Sequence, residues 1–215
     1  MDPSRRLSLL DELLVAADEA LKTLSGVQSP ARAMPRAPGT PSSPTDARER
    51  EISAGLMRVN HAGEISAQAL YSGQALTARD DRVRAALRNA AAEERDHLAW
   101  CRARLDALGA RPSVLAPLWY AGSFGLGFVS GLAGDRWSLG FLAETEAQVE
   151  RHLDGHLERL PASDSASRAV LEQMRLDEMR HGESGRALGA AELPGVVKRA
   201  MRAASKVMTS TAYRV

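Results

Sequence analysis

Two Glu-x-x-His motifs, Glu94-Arg95-Asp96-His97 and Glu178-Met179-Arg180-His181, constrain this chain more than any other feature. On a helix, positions i and i+3 are offset by about 60° and by roughly 4.5 Å of rise, so Glu and His at that spacing point into the same space. A helix-length upstream of each motif stands another glutamate, Glu64 before the first and Glu146 before the second. One such motif on a surface helix is commonplace, because helices rich in Arg and Glu carry solvated ion-pair faces. Two of them, each with its own upstream glutamate in the same order, ask for a common centre.

Four carboxylates turned into one core would have to protonate or unfold their surroundings unless cations met them. Two divalent ions cancel four carboxylates and leave the histidines neutral. Four Glu and two His from four helices are the ligand set of a carboxylate-bridged di-iron or di-manganese site in a helical bundle, and their charge balance suits O₂ chemistry. The expected ligands are Glu64, Glu94, His97, Glu146, Glu178 and His181.

The rest of the chain agrees with helices. Aromatic residues make up only 4% of the 215 positions, which disfavours sheet. Helices are predicted over about 48–78, 80–108, 136–160 and from Ser163 or Ser165 to about 188, with each candidate ligand near a helix centre. The first and last pairs have short links, and residues 109–135 form one long connection. The expectation is an all-α, ferritin-like four-helix bundle with one long apolar crossover between helices two and three. Upstream, residues 7–25 have helical periodicity, with Leu10, Leu13, Leu14 and Ala17 on one side. Residues 26–47 hold five of the ten prolines and read as a flexible linker. Residues 1–47 are therefore expected as a helix plus linker, the helix an oligomer contact, a membrane-surface helix or, foremost, a loosely attached appendage, and 48–215 as the catalytic domain.

Residues 112–134 contain no charged side chain, yet include Trp119, Tyr120, Phe124 and Phe128. The length approaches that of a membrane span. A span would split the two halves of the metal site across the bilayer, and two prolines and five glycines also argue against it. A segment lying in the membrane surface, with Trp and Tyr at the interface, is the expected arrangement. A net charge of +1 gives no electrostatic case for nucleic acid. The single cysteine, Cys101, excludes an internal disulfide and suits a reducing compartment. Asp2, Arg5, Arg6, Asp11 and Glu12 interrupt any secretory apolar run, so a cytoplasmic chain is expected.

Other polar positions carry smaller expectations. Asp177 precedes a motif glutamate and is a candidate to hold a ligand histidine by its free N–H. Glu93 stands in the corresponding place but reads as solvent-facing. His61 shares a face with Glu64, as second support or as a polar residue near the bundle end. His152 and His156 are rotated by about 120° and 80° from Glu146 and need not face the same ions. Cys101 and Tyr71 read as packing residues.

The stretches RVNHAGEISAQALYSGQ (58–74), EERDHLAWC (93–101), RPSVLAPLWYAGSFGLG (111–127), ETEAQVERHL (144–153), DEMRHGESG (177–185) and MTSTAYRV (208–215) resemble the demethoxyubiquinone hydroxylases of ubiquinone biosynthesis. The resemblance covers about 50–215 and leaves the proline-rich extension outside. It implies a ferritin-like enzyme with two irons, peripheral at the cytoplasmic face of the bacterial cell membrane. It implies insertion of one oxygen from O₂ into the ring of a polyprenyl benzoquinol, demethoxyubiquinol, giving demethylubiquinol. It also implies that Glu94 and Glu178 bridge and that His152 is a proton or hydrogen-bond partner. A homo-oligomer or a quinone-biosynthesis assembly would be compatible. No nicotinamide-binding glycine fingerprint is present, which fits electrons arriving through the substrate or an external donor. The competing readings are a ferritin- or rubrerythrin-like protein that handles iron or reduces peroxide, and a non-enzymatic membrane-surface scaffold.

Overall fold

The structure is a computed structural model that describes residues 9–27, 30–39 and 42–215. Among those residues every regular element is helical: α1 (Leu9–Ser25), α2 (Ala47–Thr77), α3 (Asp81–Ala107), α4 (Ala116–Leu132), α5 (Asp135–Arg159), α6 (Ser165–Ala187) and α7 (Gly195–Ala212). Short aspartates start three of them. Asp46 accepts from Glu49 N, Asp80 from Arg82 N and Asp164 from Ser167 N, each satisfying an amide that has no partner inside its helix. The α6 cap is therefore Asp164, neither of the two expected serines. Ser163 and Ser165 are engaged elsewhere, by Ser42.

α2 is the hub. It packs against α3, α4, α5, α7 and α1, while α5 pairs with α6 and α3 with α6. The core of α2, α3, α5 and α6 is divided. One apolar cluster gathers Leu56, Met57, Trp100, Leu105, Leu153, Leu171 and Met174. A second gathers Leu70, Tyr71, Leu87, Leu139 and Leu142. Along α2, α3 and α5 the candidate ligands fall between these two sets. Each fully buried leucine contributes about 1.5–3 kcal/mol relative to exposure. The two clusters thus offset the cost of a polar layer between them.

The charge-free segment becomes α4, a helix lying along α2. Pro117 sits in its first turn, where a missing N–H costs nothing. Glycines set the close approach: a Cβ on Gly127 would collide with the Leu70 carbonyl, and one on Gly73 with the Phe124 carbonyl. The opposite face presents Leu118, Leu126, Val129 and Leu132 to the exterior. No described helix is long and apolar enough to cross a membrane.

α1 differs from the expected loose appendage. Its polar side faces the bundle, with Glu12 paired to Arg88 at 3.0 Å, Glu19 to Arg95 at 3.1 Å, and Thr23 bonded to Gln68. Leu10, Leu14, Leu21 and Leu24 point outward. Residues 7–8 and the Leu13 side chain lie outside the described residues. The proline-rich stretch also makes defined contacts. Ser42 Oγ donates to the Ser163 carbonyl at 2.7 Å, and Arg104 bonds Ser43 at 3.0 Å. Such contacts are not those of a free linker. α7 was not expected at all. Only Ala212 is fully buried in it, and the helix lies against α2 and α5.

Candidate metal centre

Four helices bring all six expected ligands into the layer between the apolar clusters. Glu64 comes from α2, Glu94 and His97 from α3, Glu146 from α5, and Glu178 and His181 from α6. All six are buried. Their ligand atoms form two overlapping groups, Glu64–Glu94–His97–Glu178 and Glu94–Glu146–Glu178–His181, with atoms in each group within 4.8 Å of one another.

Glu94 and Glu178 belong to both groups, and their oxygens are divided between them. His97 Nδ1 lies 3.0 Å from Glu94 Oε2 and 3.3 Å from Glu178 Oε1. His181 Nδ1 lies 3.2 Å from Glu178 Oε2 and 3.5 Å from Glu94 Oε1. Glu64 serves only the first side, 3.6 Å from His97 Nδ1, and Glu146 only the second, 3.7 Å from His181 Nδ1. Glu94 Oε1 and Glu178 Oε1 are buried without a hydrogen-bond partner. A buried oxygen left bare in an acidic layer is what a cation would satisfy. Carboxylate oxygen with imidazole nitrogen suits Fe²⁺ or Mn²⁺.

The outer nitrogens are held from behind. His97 Nε2 is 2.9 Å from Asp177 Oδ2, and His181 Nε2 is 3.2 Å from Glu93 Oε2. An ionised carboxylate can only accept, so with a cation bound each imidazole would carry its one proton on Nε2 and turn the Nδ1 lone pair to the ion. Asp177 is itself fully enclosed and accepts from Gln173 at 2.9 Å, from Arg32 at 2.8 Å and from Arg180. Burial would raise the Asp177 carboxyl, but His97, Arg32 and Arg180 outweigh it and hold it well below the usual carboxylate range. The Tyr71 hydroxyl donates to Glu146 Oε1. Burial first, then the Glu146 charge, keeps Tyr71 a phenol.

Without cations the layer redistributes protons. Burial and then Glu94 raise the Glu64 carboxyl, and burial and then Glu178 raise that of Glu146. Burial would raise Glu94 too, but His97 and His181 pull it well below the ordinary value. Burial opposes the charged form of His181, yet Glu178 and Glu94 push it up to about 12. His97 moves the same way, with Glu94 the chief partner overcoming burial.

Not every residue behaves as read from the sequence. Glu93, expected in solvent, holds His181, and Tyr71, expected to pack, reaches a carboxylate. The sequence carried a signal for Glu93, because it precedes Glu94 as Asp177 precedes Glu178. Each acid serves the histidine of the other motif. Arg32 lies in the presumed linker, and nothing in the pattern singled it out. His152 lies against His156 with ring centroids 3.9 Å apart and the rings tilted by 58°, and its Nε2 has no partner. Among the described residues no hydrogen bond joins His152 to the six. His156 pairs with Asn60 at 2.9 Å and is held neutral, down to about 2, by burial and then by His152. His61 is buried and kept neutral, at about 4, by burial and then Arg102. Cys101 packs against Met174, as expected.

Comparison with known proteins follows the same lines. The chain is 59% identical to a 3-demethoxyubiquinol 3-hydroxylase of Variovorax paradoxus, over 97% of this chain and 99% of that protein. It is 57% identical to one of Cupriavidus taiwanensis, over 96% and 100%. It is also 57% identical to one of Dechloromonas aromatica, over 95% and 98%. Residues 51–212, which hold all six candidate ligands, match the family model described as ubiquinone biosynthesis protein COQ7, and the chain belongs to that family.

Proposed function

We propose that this chain is a di-iron monooxygenase, a 3-demethoxyubiquinol 3-hydroxylase that converts demethoxyubiquinol to demethylubiquinol. The observation that carries this reading is the sharing of Glu94 and Glu178 between two buried ligand groups, each completed by its own Glu and His. The names of relatives above 50% identity support the same substrate. Glu64 and His97 would hold one iron, Glu146 and His181 the other, and Glu94 and Glu178 both. α2, α3, α5 and α6 are read as the ferritin-like bundle and α4 as its crossover.

The irons, when bound, supply the reduction of O₂ and the transfer of one oxygen to the ring. The second oxygen leaves as water, which requires two electrons and two protons from a reductant. The protein's part is placement. Asp177 and Glu93 fix the imidazole tautomers. The Tyr71 O–H holds Glu146 and stands as a proton donor beside the centre. Burial of the layer keeps bulk water from the reacting ring. Ile65 and Leu98, neighbours of Glu64 and His97 in sequence, join Tyr120 and Phe124 of α4 in one apolar cluster. We read this cluster as the apolar path by which a lipid-borne ring would approach the centre from the outer face of α4. We read residues 112–134 as a peripheral contact with the cytoplasmic face of the membrane, where a polyprenyl quinol resides. The outward leucines of α1 extend that face.

The test is a single turnover with reduced, iron-loaded protein, a short-tailed demethoxyubiquinol and ¹⁸O₂. A quinone product carrying one heavy oxygen supports the reading. Unmodified quinone with iron oxidised and O₂ consumed would replace it with an iron-handling or peroxide-reducing role.

A further inference from the structure

The two halves of the centre are supported unequally. Glu93, behind His181, is 42% exposed, whereas Asp177, behind His97, is at 0%. Among the groups on Asp177 is Arg32, which lies outside the segment 51–212 that matches the family model and has no counterpart on Glu93 among the described hydrogen bonds. Its Nη1 donates to Asp177 Oδ2 at 2.8 Å and its Nε to Asp96 Oδ2 at 2.7 Å. The Ala31 amide donates to the other Asp96 oxygen at 2.7 Å. The guanidinium lies over the Trp100 ring, 5.0 Å from its centroid, and the Trp100 indole N–H reaches the Arg32 carbonyl at 3.4 Å. The strap is thus bonded through backbone, charge and ring at one point, directly behind His97. Downstream it is tied again, by Ser42 and Ser43, to the start of α6 and to Arg104.

We propose that Arg32 is a positioning residue for the His97 half of the centre. Arg32, within residues 30–39, pins Asp177 from α6 and Asp96 from α3 with one planar fork. Asp177 then keeps the His97 ring oriented with Nδ1 inward. A fork that spans two carboxylates is a property of arginine, since an ammonium offers one point of charge. The metal on the Glu64–His97 side is therefore held tighter than the one on the Glu146–His181 side. This inference rests on the two-metal reading above.

The experiment uses the full-length protein, stripped of metal and titrated anaerobically with Co²⁺, followed by its visible absorption. The ⁵⁷Fe²⁺-loaded protein is examined in parallel by Mössbauer spectroscopy. The wild type should take two Co²⁺ per chain in two unequal steps. Arg32→Gln should weaken the tighter step by about 10–100-fold, the usual cost of losing support behind a ligand histidine, and leave the weaker step unchanged. One of two iron doublets should shift. Arg32→Lys should fall in the same direction, because charge alone does not restore the fork. Arg32 is 35% exposed, so its truncation leaves no closed void, and far-UV circular dichroism checks folding. If Arg32→Gln fails to fold, the Arg32→Lys titration decides. Two wild-type steps retained in the folded variants would overturn the proposal, as would equal weakening of both steps. A wild type that takes up no pair of ions would overturn the two-metal reading itself.

Discussion

Asp177, one residue before Glu178 on α6, accepts a hydrogen bond at 2.9 Å from His97 of α3, the histidine of the other motif. The contact fixes the imidazole tautomer from across the bundle. Asp177→Asn keeps the shape but can turn an amide N–H toward Nε2, forcing the proton onto the metal-facing nitrogen. Metal affinity should fall about 10–100-fold with little change in helix content, read by metal titration and circular dichroism. Unchanged stoichiometry and affinity would refute the role.

Metal uptake should release protons. His97 and His181 are both raised, the latter to about 12, so each carries an extra proton at neutral pH without metal. Ligation displaces both, one per histidine, and the raised carboxyls of Glu64 and Glu146 add to the release. Affinity for Fe²⁺ or Co²⁺ should therefore keep rising as pH increases through neutral toward about 12, the value to which His181 is pushed. Titration in weak buffer with a pH indicator measures the protons directly. A pH-independent affinity would contradict the assignment.

The same shifts set the stability of the metal-free protein. A raised histidine stabilises fully below its unfolded value and loses that contribution as pH rises toward its folded value, about 12 for His181. The raised carboxyls act in the same sense, whereas the lowered Glu94, Asp177, His61 and His156 oppose them only at pH below their ordinary values. Thermal midpoints of stripped protein should fall from neutral toward alkaline pH, and bound metal should remove most of that slope.

Arg104 and Asp164 form an enclosed pair at 2.9 Å, with side chains 5% and 0% exposed. Arg104 also bonds Ser167 Oγ at 3.0 Å. Removing one member leaves the other charge buried alone. Arg104→Ala should cost about 3–5 kcal/mol in urea unfolding, far more than an exposed pair such as Arg82–Asp80. A cost below about 1 kcal/mol would show that the pair is solvated.

Gly127 and Gly122 lie on the same helix in opposite circumstances. A Cβ on Gly127 meets the α2 backbone at Leu70, while one on Gly122 meets nothing within 4 Å. Gly127→Ala should destabilise by about 1–3 kcal/mol through overpacking. Gly122→Ala should be neutral or stabilising by up to about 1 kcal/mol through helix propensity. Equal effects would mean that α4 does not pack on α2 as described.

Local signals in the chain were enough to place the four helices and the six candidate ligands that they bring together. Glu-x-x-His fixes two side chains on one helix face by local geometry alone, and four carboxylates can share a core only if cations meet them or protons neutralise them. Helix spacing likewise placed α2, α3, α5 and α6 to within a residue or two, because their caps and breakers are local signals. Tertiary structure alone decided what stands behind the ligands. Arg32 reaches Asp177 across 145 positions of chain, and no periodicity encodes such a contact. It also decided that α1 turns its leucines outward: Arg88 and Arg95 on α3 draw its acids inward, so partner charges overrode the apolar stripe. The course of α4 was open for the same reason. A charge-free run is equally compatible with lipid, core or surface until a neighbouring backbone, here α2 at Gly73 and Gly127, selects the face that packs.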